Sequence, residues 1–272
     1  MTEHTDLDPA GARELAPAAA RKREVLLLTL LAFFVGFFVT AELIGAKLWR
    51  FTLFGVTPAS LKLSDAQEFV ATAGIIAFPL TFILTDIINE YFGKRIVRIF
   101  TFLAIGVNVV LQPVIQVAIR TPTISFTPGI DDQRMHDAYS IALGQTWAIV
   151  AASLVAFLIA QFVDAWVFTW LRHKTGGKQL WLRSQGSTVV SQLIDTFVVI
   201  FLAFWAIPAL FGQQHMTAAN AGVISLTNYV YKFVIAVGIT PLLYLVHGAI
   251  ERYLGRETAH ALAHAAHPVD PD

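Results

Sequence analysis

The sequence contains no cysteine and few charged residues. Of its 272 residues none is Cys, and only 14% are Asp, Glu, Lys or Arg. The absence of Cys excludes disulfide bonds, thiol nucleophiles and Cys-based metal sites. The formal net charge is zero, so the charge balance gives no argument for a nucleic-acid partner. Apolar residues dominate instead: 56% of the chain is hydrophobic and the mean hydropathy is +0.63, which is typical of a polytopic membrane protein.

The common catalytic motifs are also missing from the chain. There is no phosphate-binding GxxxxGK[ST] loop, no HExxH and no GxSxG, and no predicted span carries two His residues. His247 stands alone near a predicted helix end, where an interfacial position is expected. We therefore predict that the protein is not an enzyme, does not itself hydrolyse ATP, and uses neither a metal nor a cofactor.

Long apolar runs predict an all-α integral membrane protein with six transmembrane helices. The fourth run is longer than a bilayer requires, so we expect it to tilt or to protrude. Ser187 or Thr188 is expected to cap the start of the fifth. The six runs lie at about residues 25–41, 69–92, 97–119, 139–171, 187–210 and 222–250.

The Lys and Arg residues predict the orientation of these helices. Most of the 19 fall on the side that holds both termini, and this bias marks the cytoplasmic side of a membrane protein. We therefore expect both termini inside the cell and residues 120–138 outside. Residues 1–24 are predicted to be a disordered cytoplasmic tail, residues 25–250 the transmembrane transport domain, and residues 251–272 a polar cytoplasmic tail.

The most informative stretch is FPLTFILTDIINEYFGKR, residues 78–95. Asp86 and Glu90 are four residues apart and share one helix face. A carboxylate near the middle of a bilayer costs about 2.5–3.5 kcal/mol on insertion scales, so it indicates a functional site. Pro79 is expected to bend the helix, and Gly93 with the two cations after it to end the helix. The alternative is a helix end whose acids lie among the lipid headgroups.

Two short runs in the fourth and fifth segments resemble each other. Gln161 and Asp164 in the first, and Gln192 and Asp195 in the second, are three residues apart, so each pair shares a helix face. Because the two spans run in opposite directions, the runs could be a remnant of the inverted repeat from which many transporters build their binding sites. Chance similarity is the alternative.

The sixth segment adds Asn228 and Lys232, four residues apart. Three intramembrane acids against one Lys do not balance, so further positive charge must come from Arg183 or Arg95, from protons, or from a ligand. A planar, polar ligand suits such a site, because carboxylates and Gln pair with the edge of a base while aromatic rings stack on its face. The structural alternative is that the acids pin helices to arginines of the cytoplasmic loops.

One helix face of the first segment carries small residues. Ala32, Gly36 and Thr40 recur every four residues, a pattern that permits close approach of another helix. Internal packing is the expected role, and a docking face for a partner protein is the alternative.

Three stretches of the chain resemble the queuosine precursor transporter family, also known as the vitamin uptake transporter (VUT) family. The resemblance spans about residues 26–250 and implies a six-helix protein of the bacterial inner membrane, related to the substrate-binding components of energy-coupling vitamin transporters. It also implies uptake of 7-cyano-7-deazaguanine or 7-aminomethyl-7-deazaguanine for the synthesis of queuosine in tRNA. The stretches are FPLTFILTDIINEYFGKR (78–95), QFVDAWVF (161–168) and LWLRSQGSTVVSQLIDT (180–196).

The motifs and the polar pattern together give the expected site. Structural roles are expected for Pro79, Gly93, Arg183 and Gly186. One departure concerns Glu42, where many members of the family carry Asn, so it stays open whether Glu42 belongs to the site. The residues expected to bind the 7-deazapurine substrate are Asp86, Glu90, Gln161, Asp164, Gln192, Asp195, Asn228 and Lys232.

Two alternatives to a self-sufficient transporter stay open. The chain could be the substrate-binding membrane component for another purine-like or vitamin ligand, and would then need an energising partner. It could also be a non-transporting membrane scaffold or enzyme. Apart from the substrate and the lipid bilayer, a homodimer is the partner that the sequence leaves open.

Overall fold

A computed structural model describes residues 17–52, 55–61, 67–175 and 180–266, without the side chains of residues 172, 180–185 and 237. Long helices make up most of this part of the chain, and one small sheet accompanies them. The helices are α1 (Pro17–Gly45), α2 (Phe78–Arg120), α3 (Asp132–Gly144), α4 (Thr146–Lys174), α5 (Leu180–Phe201), α6 (Ile207–Leu210), α7 (Ala218–Gly238), α8 (Thr240–Leu254) and α9 (Arg256–Ala266).

Several of the helical segments are long and apolar enough to cross a membrane. α7 and α8 together add one more candidate, although a bend of 50° separates them at Ile239. These segments confirm a helical multi-pass membrane protein. The four continuous candidates are Pro17–Gly45, Ala73–Arg120, Asp132–Leu171 and Gly186–Leu210.

Helix α2 is interrupted at Gly93. This residue has φ 79° and ψ 165°, values that are not helical and that suit glycine because it lacks a Cβ. The predicted helix end at Gly93 is therefore confirmed, and a new helical stretch starts directly after it. The predicted bend at Pro79 is wrong, because Pro79 lies in the first turn of α2, where its missing N–H costs nothing.

Two short strands precede α2, in a region expected to be a loop followed by helix. Strand β1 (Leu48–Phe51) pairs antiparallel with β2 (Phe69–Thr72), and Leu48 lies opposite Thr72. A short 3-10 helix (Ala73–Ala77) then leads into α2. The predicted start of the second span at residue 69 is thus wrong, because an apolar run of a few residues suits a buried strand as well as a helix.

The fourth and fifth segments also differ from their predicted bounds. Helix α3 begins at Asp132, inside the predicted loop, because Asp131 caps it: Asp131 Oδ1 accepts from the Arg134 N–H at 2.8 Å. Gln145 then separates α3 from α4. Ser187 and Thr188 do not start α5, which already begins at Leu180. Beyond α5, a π-helical turn (Leu202–Ala206) leads into α6.

The main hydrophobic core joins both halves of α2 to α1, α8 and α9. In α9, Ala259 and Leu262 are buried in this core.

Helix α1 begins at Pro17, eight residues before the predicted boundary, and residues 256–266 of the predicted polar tail are helical. The Tyr91 hydroxyl and His247 Nδ1 are 3.1 Å apart between α2 and α8. The division into two tails and a transport domain stays a prediction.

The small-residue stripe of α1 does not pack inside the chain. Ala32, Gly36 and Thr40 are exposed, and nothing in the described part of the chain lies within 4 Å of a Cβ built on Gly36. The expected internal packing of this stripe is therefore wrong.

Candidate functional site

A cavity of about 620 Å³ lies between α1, α2, α4, α5 and α7. This volume falls in the range of small-molecule binding sites. Its wall mixes aromatic side chains, among them Phe34, Phe38, Phe78, Phe82 and Phe204, with charged and polar groups contributed by each of the five helices.

Most of the predicted substrate-binding residues line this cavity. Glu90 does not, because its exposed side chain lies outside the lining only three residues before the break at Gly93. Asn89 lines the cavity beside Asp86, and its Oδ1 atom is buried without a hydrogen-bond partner in the described part of the chain. The predicted residues that the cavity brings together are Asp86, Gln161, Asp164, Gln192, Asp195, Asn228 and Lys232.

Asp195 and Lys232 form an ion pair across α5 and α7. Lys232 Nζ lies 3.7 Å from Asp195 Oδ2 and donates a hydrogen bond to Thr196 Oγ1 at 3.1 Å. It also lies 5.5 Å from the centre of the Phe78 ring. About a quarter of each charged side chain is exposed (22% for Lys232 and 24% for Asp195), so the pair is largely removed from water and accessible from the cavity.

Asp164 has a weaker partner than Asp195. The Ser191 hydroxyl donates to Asp164 Oδ1 at 3.4 Å and also lies 3.1 Å from the carbonyl oxygen of Thr188. Ser191 was not among the predicted site residues, although it stands next to Gln192 in the motif. The carboxylate of Asp164 therefore keeps acceptor capacity that a ligand could use.

Asn228 links α7 to the small sheet. Its Oδ1 accepts from the Thr72 hydroxyl at 3.0 Å and from the Thr72 N–H at 3.4 Å, and its Nδ2 donates to the carbonyl oxygen of Ile224 at 2.8 Å. These bonds occupy both ends of the amide. Asn228 thus lines the cavity but has a structural partner, which helix periodicity could not have revealed.

Glu42 lines the cavity as well. The Ser153 hydroxyl on α4 donates to Glu42 Oε2 at 3.1 Å. Glu42 therefore stands in the wall of the same cavity as the motif acids, and its part in substrate binding stays open at this point.

The cavity is elongated and has two chemically different ends. On α4, Ser153 and Asp164 are eleven residues apart, which corresponds to about 16 Å along the helix. We call the part beside Glu42 and Ser153 the Glu42 end, and the part beside Asp164 the Asp164 end. On α2, Phe78 lies next to Lys232, and Asp86 follows it by eight residues, about 12 Å along the helix. Asp86 therefore lies away from Lys232, towards the Asp164 end.

Of the remaining predicted positions, Gly186 serves the packing beside the cavity. A Cβ built on Gly186 would lie 3.1 Å from Leu171 Cδ1, so glycine lets α5 approach α4 closely. Of two aromatic side chains in the motif segments, Phe82 lines the cavity, whereas Trp166 is 61% exposed on the outer surface. The Arg183 side chain lies outside the described residues.

Comparisons with known proteins agree with the sequence motifs. A family model described as "Putative vitamin uptake transporter" matches residues 72–246. A Bacillus subtilis protein named "Probable queuosine precursor transporter" is 28% identical over 195 residues, which cover 70% of this chain and 79% of the relative. An Escherichia coli protein named "Queuosine precursor transporter" is 25% identical over 169 residues, 62% of this chain and 69% of the relative.

A further relative has a name of the same kind. A Haemophilus influenzae protein named "Probable queuosine precursor transporter" is 25% identical over 186 residues, which cover 68% of this chain and 72% of the relative. No solved structure matches the chain. The named relatives are transporters rather than enzymes, in agreement with the prediction from the missing catalytic motifs.

Proposed function

The chain belongs to the vitamin uptake transporter family, as its resemblance to that family predicted, and we propose that it takes up queuosine precursors across the bacterial inner membrane. The substrates would be 7-cyano-7-deazaguanine, 7-aminomethyl-7-deazaguanine, or both. The observation that carries this proposal is the cavity: it gathers carboxylates and Gln side chains from four helices, in a chain whose relatives are named as queuosine precursor transporters.

The chemistry of the cavity wall suits a deazaguanine base. Such a base presents an N1–H and an exocyclic NH₂ side by side, two donors that fit one carboxylate, with a carbonyl acceptor next to them. In our proposal Asp86 or Asp164 accepts from the two donors, and Gln161 or Gln192 donates to the carbonyl. The ring of Phe82 is available for stacking.

We extend the proposal to six spans with both termini in the cytoplasm. The 43 residues of α2 would measure about 65 Å if they were straight, about twice the apolar thickness of a bilayer. The break at Gly93 supports two spans within this helix, with the adjacent Lys94 and Arg95 at the cytoplasmic turn.

The topology can be tested with single cysteines, because the natural chain has none. We expect an impermeant thiol reagent to label Asp131→Cys in intact cells and to label Lys178→Cys only after the membrane is opened. Labelling of the second position but not of the first in intact cells would contradict the proposed orientation.

Uptake by the purified full chain in liposomes tests the function directly. We expect radiolabelled 7-aminomethyl-7-deazaguanine or 7-cyano-7-deazaguanine to accumulate inside, and an excess of the unlabelled base to compete with this uptake. Purine bases without the deazaguanine pattern should compete poorly. A reconstituted protein that neither binds nor takes up either base would contradict the proposal.

One observation favours a second candidate, a substrate-binding membrane component that needs an energising partner. The small-residue stripe of α1 is exposed, so it could receive a helix of another protein. In this case the purified chain would bind its purine-like or vitamin ligand but would not take it up in liposomes. A homodimer through the same stripe would instead leave uptake by the chain alone intact.

A further inference from the structure

The two ends of the cavity differ in their charge balance. At the Asp164 end, the acids Asp86 and Asp164 face a wall that also contains Lys94 and Arg98. Lys94 Nζ lies 5.8 Å from the ring of Phe168, one helical turn beyond Asp164, which locates this basic group at that end. Two carboxylates and two cations therefore share the Asp164 end.

The Glu42 end has one carboxylate more than it has cations. Its carboxylates in the cavity lining are Glu42 and Asp195, and its cation is Lys232, which lies 3.7 Å from Asp195. Glu42 accepts a hydrogen bond from the neutral hydroxyl of Ser153, and no Lys, Arg or His of the described chain lies within ion-pair distance of it. The Glu42 carboxylate is thus positioned in the cavity wall without a cation of its own.

A carboxylate in a membrane cavity needs a compensating positive charge, which a ligand or a proton can supply. The two precursors of the proposed function differ in this respect. The 7-aminomethyl base has a primary amine that is protonated near neutral pH, whereas the nitrile of the 7-cyano base is neutral and can only accept a hydrogen bond. A nitrile facing a carboxylate would place two acceptors against each other.

We propose that Glu42 is a specificity-determining residue that binds a cationic substituent, so that the cavity selects the 7-aminomethyl over the 7-cyano form of the base. This inference rests on the proposed function and identifies its substrate. In deazaguanine the two-donor edge and the C7 substituent lie on opposite sides of the ring system. A base whose donor edge meets an acid of the Asp164 end therefore directs its C7 substituent towards the Glu42 end.

Equilibrium binding of both bases to the purified full chain tests the inference. The wild-type protein should bind the 7-aminomethyl base at least about 10-fold more tightly than the 7-cyano base, as expected for a hydrogen bond to a charged group. In Glu42→Gln this ratio should fall close to one, mainly because the 7-aminomethyl base is bound more weakly. Ser153→Ala is the matched control, since it removes the partner of Glu42 and keeps the carboxylate, and it should retain most of the preference.

A second measurement needs no variant and remains informative if Glu42→Gln does not fold. The 7-hydroxymethyl base has the same heavy-atom skeleton as the 7-aminomethyl base but no positive charge, and the wild-type protein should bind it at least about 10-fold more weakly than the amine.

Several results would overturn the inference. One is an equal preference in the wild type and in Glu42→Gln, and another is an equal loss of affinity for both bases. Uptake of both bases at similar rates, with a pH dependence that disappears in Glu42→Gln, would assign Glu42 to proton coupling instead. Failure of the wild type to bind either base would contradict the proposed function itself.

Discussion

The two Gln-x-x-Asp runs face one cavity from neighbouring helices, but their carboxylates have different partners. On α5, Asp195 lies 3.7 Å from the ammonium group of Lys232. On α4, Asp164 accepts from the neutral hydroxyl of Ser191 at 3.4 Å. A similar pattern thus gives an acid that is fixed in an ion pair and an acid with free acceptor capacity. We therefore propose that Asp195 organises the site and that Asp164 binds the substrate.

The largest effect is expected for the ion-paired acid. Asp195→Asn changes the charge but hardly the volume, and it leaves Lys232 without its counter-charge. We expect uptake to fall by about 30-fold or more, as for the loss of one partner of a buried charge pair, while the protein still inserts and remains monodisperse. Uptake in proteoliposomes and size-exclusion chromatography measure the two quantities.

A double variant serves as the control for this prediction. Asp195→Asn with Lys232→Met removes both charges and should restore thermal stability if the single variant has lost any, without restoring uptake. Normal uptake by Asp195→Asn would show that Asp195 is neither a ligand nor an organising residue. Aggregation of the single variant together with normal uptake by the double variant would assign the pair a purely structural role.

A smaller effect is expected for Asp164, which accepts a hydrogen bond from a neutral hydroxyl. Asp164→Asn keeps an oxygen that can accept from Ser191, so stability should change little, while the lost charge weakens hydrogen bonds from the substrate. We expect the affinity for the base to fall by about 10-fold, measured by calorimetric titration. Ser191→Ala is the matched control and should have the weaker effect. If Asp164→Asn were as harmful to uptake as Asp195→Asn, the distinction between the two runs would fail.

The smallest effect is expected for Glu90, and the Glu90 variant serves as the reference for the Asp195 and Asp164 variants. Glu90 belongs to the same motif as Asp86, but its side chain is exposed and lies outside the cavity lining. Uptake by Glu90→Gln should therefore stay within about 2-fold of the wild type, in the range of an exposed surface charge. A loss comparable to that of Asp164→Asn would show that the motif acts as a unit, whichever way its side chains point.

Some features of this site could be predicted from local sequence, and others could not. The three-residue spacing of Gln161 and Asp164 predicts a shared helix face, and both residues line the cavity. The non-helical φ of Gly93 follows from a glycine at the end of an apolar run. Local spacing does not tell which neighbour a side chain meets, and the Ser153 hydroxyl that contacts Glu42 is 111 residues away in the chain.

The same limit applies to the start of the second span. Residues 69–72 continue the apolar pattern of α2, and the antiparallel strand that pairs with them, β1, lies beyond the range of helix periodicity. The link from Thr72 to Asn228 likewise joins residues 156 positions apart. Such contacts depend on the tertiary arrangement of the helices, which one sequence does not encode as a local pattern.

In our proposal, carboxylates of the cavity recognise the two-donor edge of a deazaguanine base. The most direct test compares two affinities of the purified protein. One is for 7-aminomethyl-7-deazaguanine, and the other is for the analogue that lacks the C2 amino group but keeps the 7-aminomethyl group. Sites built on such hydrogen bonds reject the analogue strongly, by up to about 10⁴-fold, because a buried acceptor is left unpaired. We expect a loss in affinity of at least about 100-fold. Equal affinity for the two compounds would contradict the account, because recognition would then depend on stacking and shape rather than on the carboxylates.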